Sequence, residues 1–155
     1  MNHRDKSAYI VIGIVFLILI AASAFIFTSK FQTTTRIILG DAVISAKVAN
    51  GDVERSKGLS GVEKLKNDEG MLFVYREDGL HGIWMKDMKI SIDIIWLNKD
   101  KKVVYIVKNA QPESYPKTFK PKKFARYVLE VPAGYTTEKK ITIGTPANFN
   151  TNALQ

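Results

Sequence analysis

No cysteine occurs among the 155 residues. That excludes a disulfide framework, a thiolate zinc site, a cysteine nucleophile and a lipoprotein attachment cysteine. Histidine is nearly as scarce, with His3 and His81 lying on opposite sides of the apolar N-terminal run. A Ser-His-acid triad therefore has only His81 to draw on, and no nucleophile-elbow motif accompanies it. Neither a phosphate-cradling glycine loop nor any cofactor-binding motif is present. After residue 30 there is no long helical period, and after Phe27 no long hydrophobic run.

What is present begins with that run. Tyr9 to Phe27 is 19 residues without a charge, about the length that spans a ~30 Å hydrocarbon core as a helix. Ala22-Ser23-Ala24 has the small-x-small form of a signal-peptide cleavage site. The apolar stretch nevertheless continues through Phe25, Ile26 and Phe27, as an anchor does. The sequence thus predicts a cytoplasmic N-terminus (1–8), a transmembrane anchor or uncleaved signal (9–27) and a polar linker (28–34). A β-rich exported domain (35–145) and a flexible polar tail (146–155) follow. The expected location is a single-pass cell-membrane protein with its domain on the extracytoplasmic side.

Lysine and arginine total 23 against 15 acidic residues, a net charge of +8. Omitting the short N-terminus leaves the excess in place. A field of that sign favours anionic lipid, acidic cell-wall polymers or other polyanions, while export disfavours nucleic acid. Solubility alone would account for it equally well.

The exported domain reads as short strands. Arg36–Leu39 and Ala42–Val48 flank Gly40-Asp41, a two-residue hairpin signal in which glycine supplies a positive φ. A polar stretch from Asn50 to Gly58 holds one short helix that Gly58 ends. Met71–Tyr75, Ile83–Met85, Ile90–Leu97, Val103–Lys108, Tyr127–Val131 and Ile141–Ile143 complete the set. The predicted fold is mainly β, a compact sandwich or partly open barrel with one short helix.

Six blocks carry a resemblance. They are Glu54-Arg55-x-x-Gly58-Leu59, Gly70-Met71-Leu72-Phe73, Trp84-Met85-Lys86, Ile92-Asp93-Ile94, Asn109-Ala110-Gln111-Pro112, and Tyr127 through Gly134. In this order, over about residues 36–145, they resemble the prokaryotic domain of unknown function 192. The resemblance implies a small exported or membrane-anchored domain and no established activity. Gly144-Thr145 departs from the Gly-Asp common in that family. The cysteines many members carry after the Gln-Pro step are also missing.

Asp93 and Glu130 stand out as carboxyl groups on apolar strands, costly to bury unless paired. Arg55 and Lys86 are the expected partners of Asp93, either in a structural ion pair or in a polar pocket that holds an anion. The candidate ligand-binding set is Arg55, Trp84, Lys86, Asp93, Asn109 and Glu130. It belongs to a binding or accessory module for an anionic or carbohydrate envelope ligand rather than to an enzyme. One alternative is an envelope hydrolase using Asp93 and Glu130 as paired acids. Another is a soft-metal site at His81, Met85 and Met88, which competes with a plain core role for the methionines. The loop from Tyr115 to Arg126 interleaves cations with aromatics, a composition suited to polyanions, sugars or a lipid surface.

Overall fold

The computed structural model describes residues 12–16 and 33–151. The chain divides into two units, residues 1–32 and 33–155. In the first, residues 12–16 are helical; most of the expected anchor and linker lies outside the described residues. Among the described residues, no helix is long and apolar enough to cross a membrane.

The second unit is mainly β. Its strands are β1 (Thr34–Leu39), β2 (Ala42–Ala49), β3 (Glu69–Gly79), β4 (Ile83–Trp84), β5 (Ile92–Leu97), β6 (Val103–Ala110), β7 (Thr118–Phe119), β8 (Ala125–Pro132) and β9 (Ala147–Asn148). Two short helices, α1 (Asp52–Lys57) and α2 (Tyr135–Glu138), complete the set with a 3₁₀ turn at Pro112–Ser114. Seven strands form one curled half-barrel sheet in the order β6-β5-β8-β3-β2-β1-β9, while β4 and β7 make a separate two-stranded ribbon. Among the described strands only β2 and β3 run parallel. A parallel pair needs a crossover, and α1 with the loop after it supplies one.

Alternation along the strands sorts apolar side chains onto two faces. Ile37, Leu39, Ile44, Leu72, Ile95, Leu97 and Leu129 share one core. Phe73, Met85, Ile92, Ile94, Trp96 and Val128 share the other, with Leu59 and Ile83 packing over them from outside the main sheet. A sandwich would place a single core between two sheets; here one sheet serves two cores. The edges of the half-barrel are tied through the segment after α2. Val103 N–H donates to the Thr145 carbonyl at 3.0 Å, and Ala147 N–H to the Lys101 carbonyl at 2.8 Å.

Local chemistry accounts for the main turns. Gly40 has φ +57° in the β1–β2 hairpin, as that loop requires. Gly58 ends α1 at φ +50°, as expected of a glycine just past a helix. Three expectations are corrected. Ile141–Ile143 is not a strand, although Ile141 is buried. A second helix, α2, precedes it. The tail is not loose through residue 151, because β9 pairs with β1, Phe149 is buried, and Lys101 Nζ donates to the Phe149 carbonyl at 2.7 Å. The segment carries a pairing strand and a core aromatic that its polar composition conceals.

Candidate functional site

Asp93 lies on β5 and is 0% exposed. Alternation places it on the face of Ile95 and Leu97. Its two oxygens accept four hydrogen bonds. Oδ1 accepts from Asn109 N–H at 2.8 Å and Gly134 N–H at 3.2 Å. Oδ2 accepts from Thr136 N–H at 2.9 Å and the Thr136 hydroxyl at 2.6 Å. The side chain thus holds β5, β6 and the start of α2 together, doing for α2 what a local capping residue does for other helices. Neither Arg55 nor Lys86 pairs with it, which corrects the expected ion pair. Backbone N–H groups and a hydroxyl satisfy the carboxyl group instead. Asn109 meets Asp93 through its backbone N–H, at a left-handed φ of +51°.

Glu130 sits on the other face. It pairs across the sheet with Ile94 and Met71, both members of the second core. Gly70 lets the strands approach there, since a Cβ at that position would lie 2.6 Å from the Glu130 carbonyl oxygen. Glu130 is 4% exposed, and its Oε2 is buried with no hydrogen-bond partner. Burial pushes its carboxyl up to about 8, so at neutral pH the group is largely the uncharged acid.

Above it is a cleft of about 50 Å³ whose walls include Arg55, Tyr75, Trp84, Met88 and Glu130. Arg55 is held away from the acid. It donates to the carbonyls of Asn50 at 2.6 Å and Val74 at 2.8 Å, pairs with Asp52, and lies over the Tyr75 ring at 5.1 Å. The Tyr75 phenol is pushed up to about 12 by burial, Arg55 opposing and Glu130 reinforcing the shift. Tyr75 stacks on His81 at 3.5 Å between ring centroids. At the mouth Trp84 is 47% exposed, with Tyr115 edge-on at 6.4 Å.

Of the six residues singled out from sequence, Arg55, Trp84 and Glu130 meet at this cleft. Asp93 and Asn109 form the separate capping arrangement, and Lys86 is exposed while its carbonyl accepts from the Ser60 hydroxyl at 2.8 Å. The paired-acid geometry is not made, because Asp93 and Glu130 occupy opposite faces of one sheet. The soft-metal residues are dispersed among other duties. Met85 is core, Met88 lines the cleft, and His81 stacks on Tyr75 with Nε2 3.0 Å from the Glu77 carbonyl. Among the described residues no group of three or more His, Asp or Glu is placed to hold a metal ion. Tyr75 was not singled out, although its phase with Met71 and Phe73 on β3 assigns it to the Glu130 face. Thr136 carries no comparable signal.

These features define a class: a small mainly-β domain, one curled sheet serving two cores, with a buried acid at the base of a small cleft. The chain belongs to the domain of unknown function 192 family (Uncharacterized ACR), whose family model matches residues 35–149. Two solved structures are similar in fold. One is a protein from Sinorhizobium meliloti 1021, provisionally described as a transcription regulator. It has 24% identity and a TM-score of 0.73, over 76% of this chain and 95% of that one. The other is a protein of unknown function from Novosphingobium aromaticivorans DSM 12444. It too has 24% identity, with a TM-score of 0.71, over 74% of this chain and 84% of that one. No curated protein matches the chain.

Proposed function

We propose that this is a membrane-held, extracytoplasmic binding module that takes a carbohydrate of the cell envelope at the Trp84–Glu130 cleft. The observation that carries this reading is the buried Glu130 Oε2, which lacks a partner at the base of a cleft whose mouth is an exposed indole. An unpaired buried polar atom is costly, and a ligand hydroxyl entering the cleft relieves that cost. About 50 Å³ admits one small polar group and no more. The body of the ligand therefore stays outside, where the Trp84 face supplies a flat apolar platform for a sugar ring. An uncharged acid suits this role, since it both donates to and accepts from hydroxyls. The apolar run 9–27 supports the membrane location. A reporter active only outside the cytoplasm, fused after Gln155, tests it, and an inactive but expressed fusion would remove that part of the reading.

The binding test is calorimetric titration of the purified full chain with neutral oligosaccharides of glucose and N-acetylglucosamine. At least one should bind, and Trp84→Ala should weaken it tenfold or more while leaving the melting temperature within about 2 °C. Glu130→Leu should abolish the same binding. Absence of binding across both series, or binding indifferent to Trp84→Ala, would overturn the proposal.

A further inference from the structure

A second cavity also borders Tyr75. It measures about 580 Å³, within the range of small-molecule sites, and its walls include Asn50, Tyr75, Arg76, Arg126, Tyr127 and Thr151. None of the six candidate ligand-binding residues lines it, but Arg126, the end of the cation–aromatic loop singled out from sequence, does. Among the described residues that line it, two are arginines and none carries a carboxyl group, although the Glu54 carboxyl group lies close to Gly51. Arg126 is oriented from behind, its Nε donating to Asp78 Oδ1 at 2.7 Å, with both side chains about one-third exposed. Among the described residues, the Arg76 side chain has no hydrogen-bond or ion-pair partner. The tyrosines add two phenols, which burial raises above their ordinary value, while the Tyr75 ring is already covered by His81 and Arg55.

We propose that this cavity binds a sugar-sized organic acid, its phosphate or carboxylate held by Arg76 and Arg126 and its body against Tyr127. Guanidinium groups suit this task because their fork matches the oxygens of phosphate and carboxylate. The volume exceeds what a bare inorganic anion fills, so the anionic group arrives on a body of about one sugar ring. Asp78 offsets part of the Arg126 charge and fixes its direction, which leaves Arg76 as the principal uncommitted cation. This site does not depend on the Trp84–Glu130 reading.

The test uses the purified full chain and three probes: glucose 6-phosphate, glucuronate and neutral glucose. The phosphate or the uronate should bind at least tenfold more tightly than glucose, and more weakly as salt rises. An oligosaccharide ending in glucuronate separates the two sources of such an acid, a free small molecule or a polymer terminus. Arg76→Glu, at an exposed position, should remove the preference for the charged probe by tenfold or more. Arg76→Lys should restore part of it, and Trp84→Ala should leave it intact. Equal affinity for charged and neutral probes, or a preference that survives Arg76→Glu, would overturn the assignment.

Discussion

Asp93 and Glu130 are carboxyl groups on neighbouring strands of the same sheet, one residue out of phase, and both are buried. Asp93 faces the core that α2 closes and is saturated, each oxygen accepting two hydrogen bonds. Glu130 faces the second core, below the cleft that Arg55 and Trp84 line, and keeps Oε2 without a partner. Burial alone therefore does not separate a structural acid from one available to a ligand. Hydrogen-bond satisfaction does. A satisfied buried carboxyl group ties elements together, whereas an unsatisfied one persists at a cost in stability.

The largest effect should come from breaking the satisfied member. Asp93→Ala leaves three backbone N–H groups and the Thr136 hydroxyl without their acceptor and releases α2 from the sheet. A loss of about 3–5 kcal/mol is expected. Urea denaturation followed by tryptophan fluorescence measures it. A loss below about 1 kcal/mol would mean that the four bonds are not what holds α2 in place.

The unsatisfied member is exposed by pH. The folded carboxyl of Glu130 titrates near 8 against an ordinary value of 4.5. Between these values the native state keeps a proton that the unfolded chain has released, so stability falls as pH rises. The contribution is fully present below about pH 4.5 and lost by about pH 8. His81, held below its ordinary value mainly by burial, slopes the other way, its unfolded form taking up protons first as pH falls. The difference between wild type and Glu130→Gln isolates the acid. From pH 5 to 8 the wild type should lose on the order of 3 kcal/mol more than the variant. Parallel pH profiles would show that Glu130 is solvated or partnered after all.

Much of this comparison was legible in sequence, but its decisive part was not. The alternation of Ile92, Ile94 and Trp96 against Asp93, Ile95 and Leu97 separates the two faces of β5. A similar phase assigns Glu130 to the side of Val128. Whether the two acids share a face depends on the register between strands, and only the pairing of Ile94 with Glu130 fixes it. Residues on one strand could be phased; residues on two strands could not be superposed. The short helix ending at Gly58 and the Gly40-Asp41 hairpin were readable because their turn chemistry is local. Helix α2 was not, having only four residues and its capping acid 41 positions before Gly134. β9 is two residues long and carries no period of its own. The cavity with Arg76 and Arg126 draws its walls from the turn after β2, from β3 and β8 and from Thr151, a tertiary convergence without a motif.

The smallest expected effect asks whether a neighbouring charge, rather than burial, governs Glu130. Arg55 lines the same cleft, and a guanidinium close to a carboxyl group would lower its proton affinity. Burial alone accounts for the upward shift of Glu130. The guanidinium is instead committed to the Asn50 and Val74 carbonyls and to Asp52. Arg55→Gln should therefore cost about 1–2 kcal/mol, through lost hydrogen bonds at a half-buried site. It should leave the pH-dependent difference between Glu130 and Glu130→Gln unchanged within about 0.5 kcal/mol. Combining both substitutions in a cycle across pH 5–8 measures the coupling directly. A slope that steepens when Arg55 is removed would mean that the arginine stabilises a charged Glu130. The cleft would then be an ion-pair site, and the contrast with Asp93 would become one of partner type rather than of satisfaction.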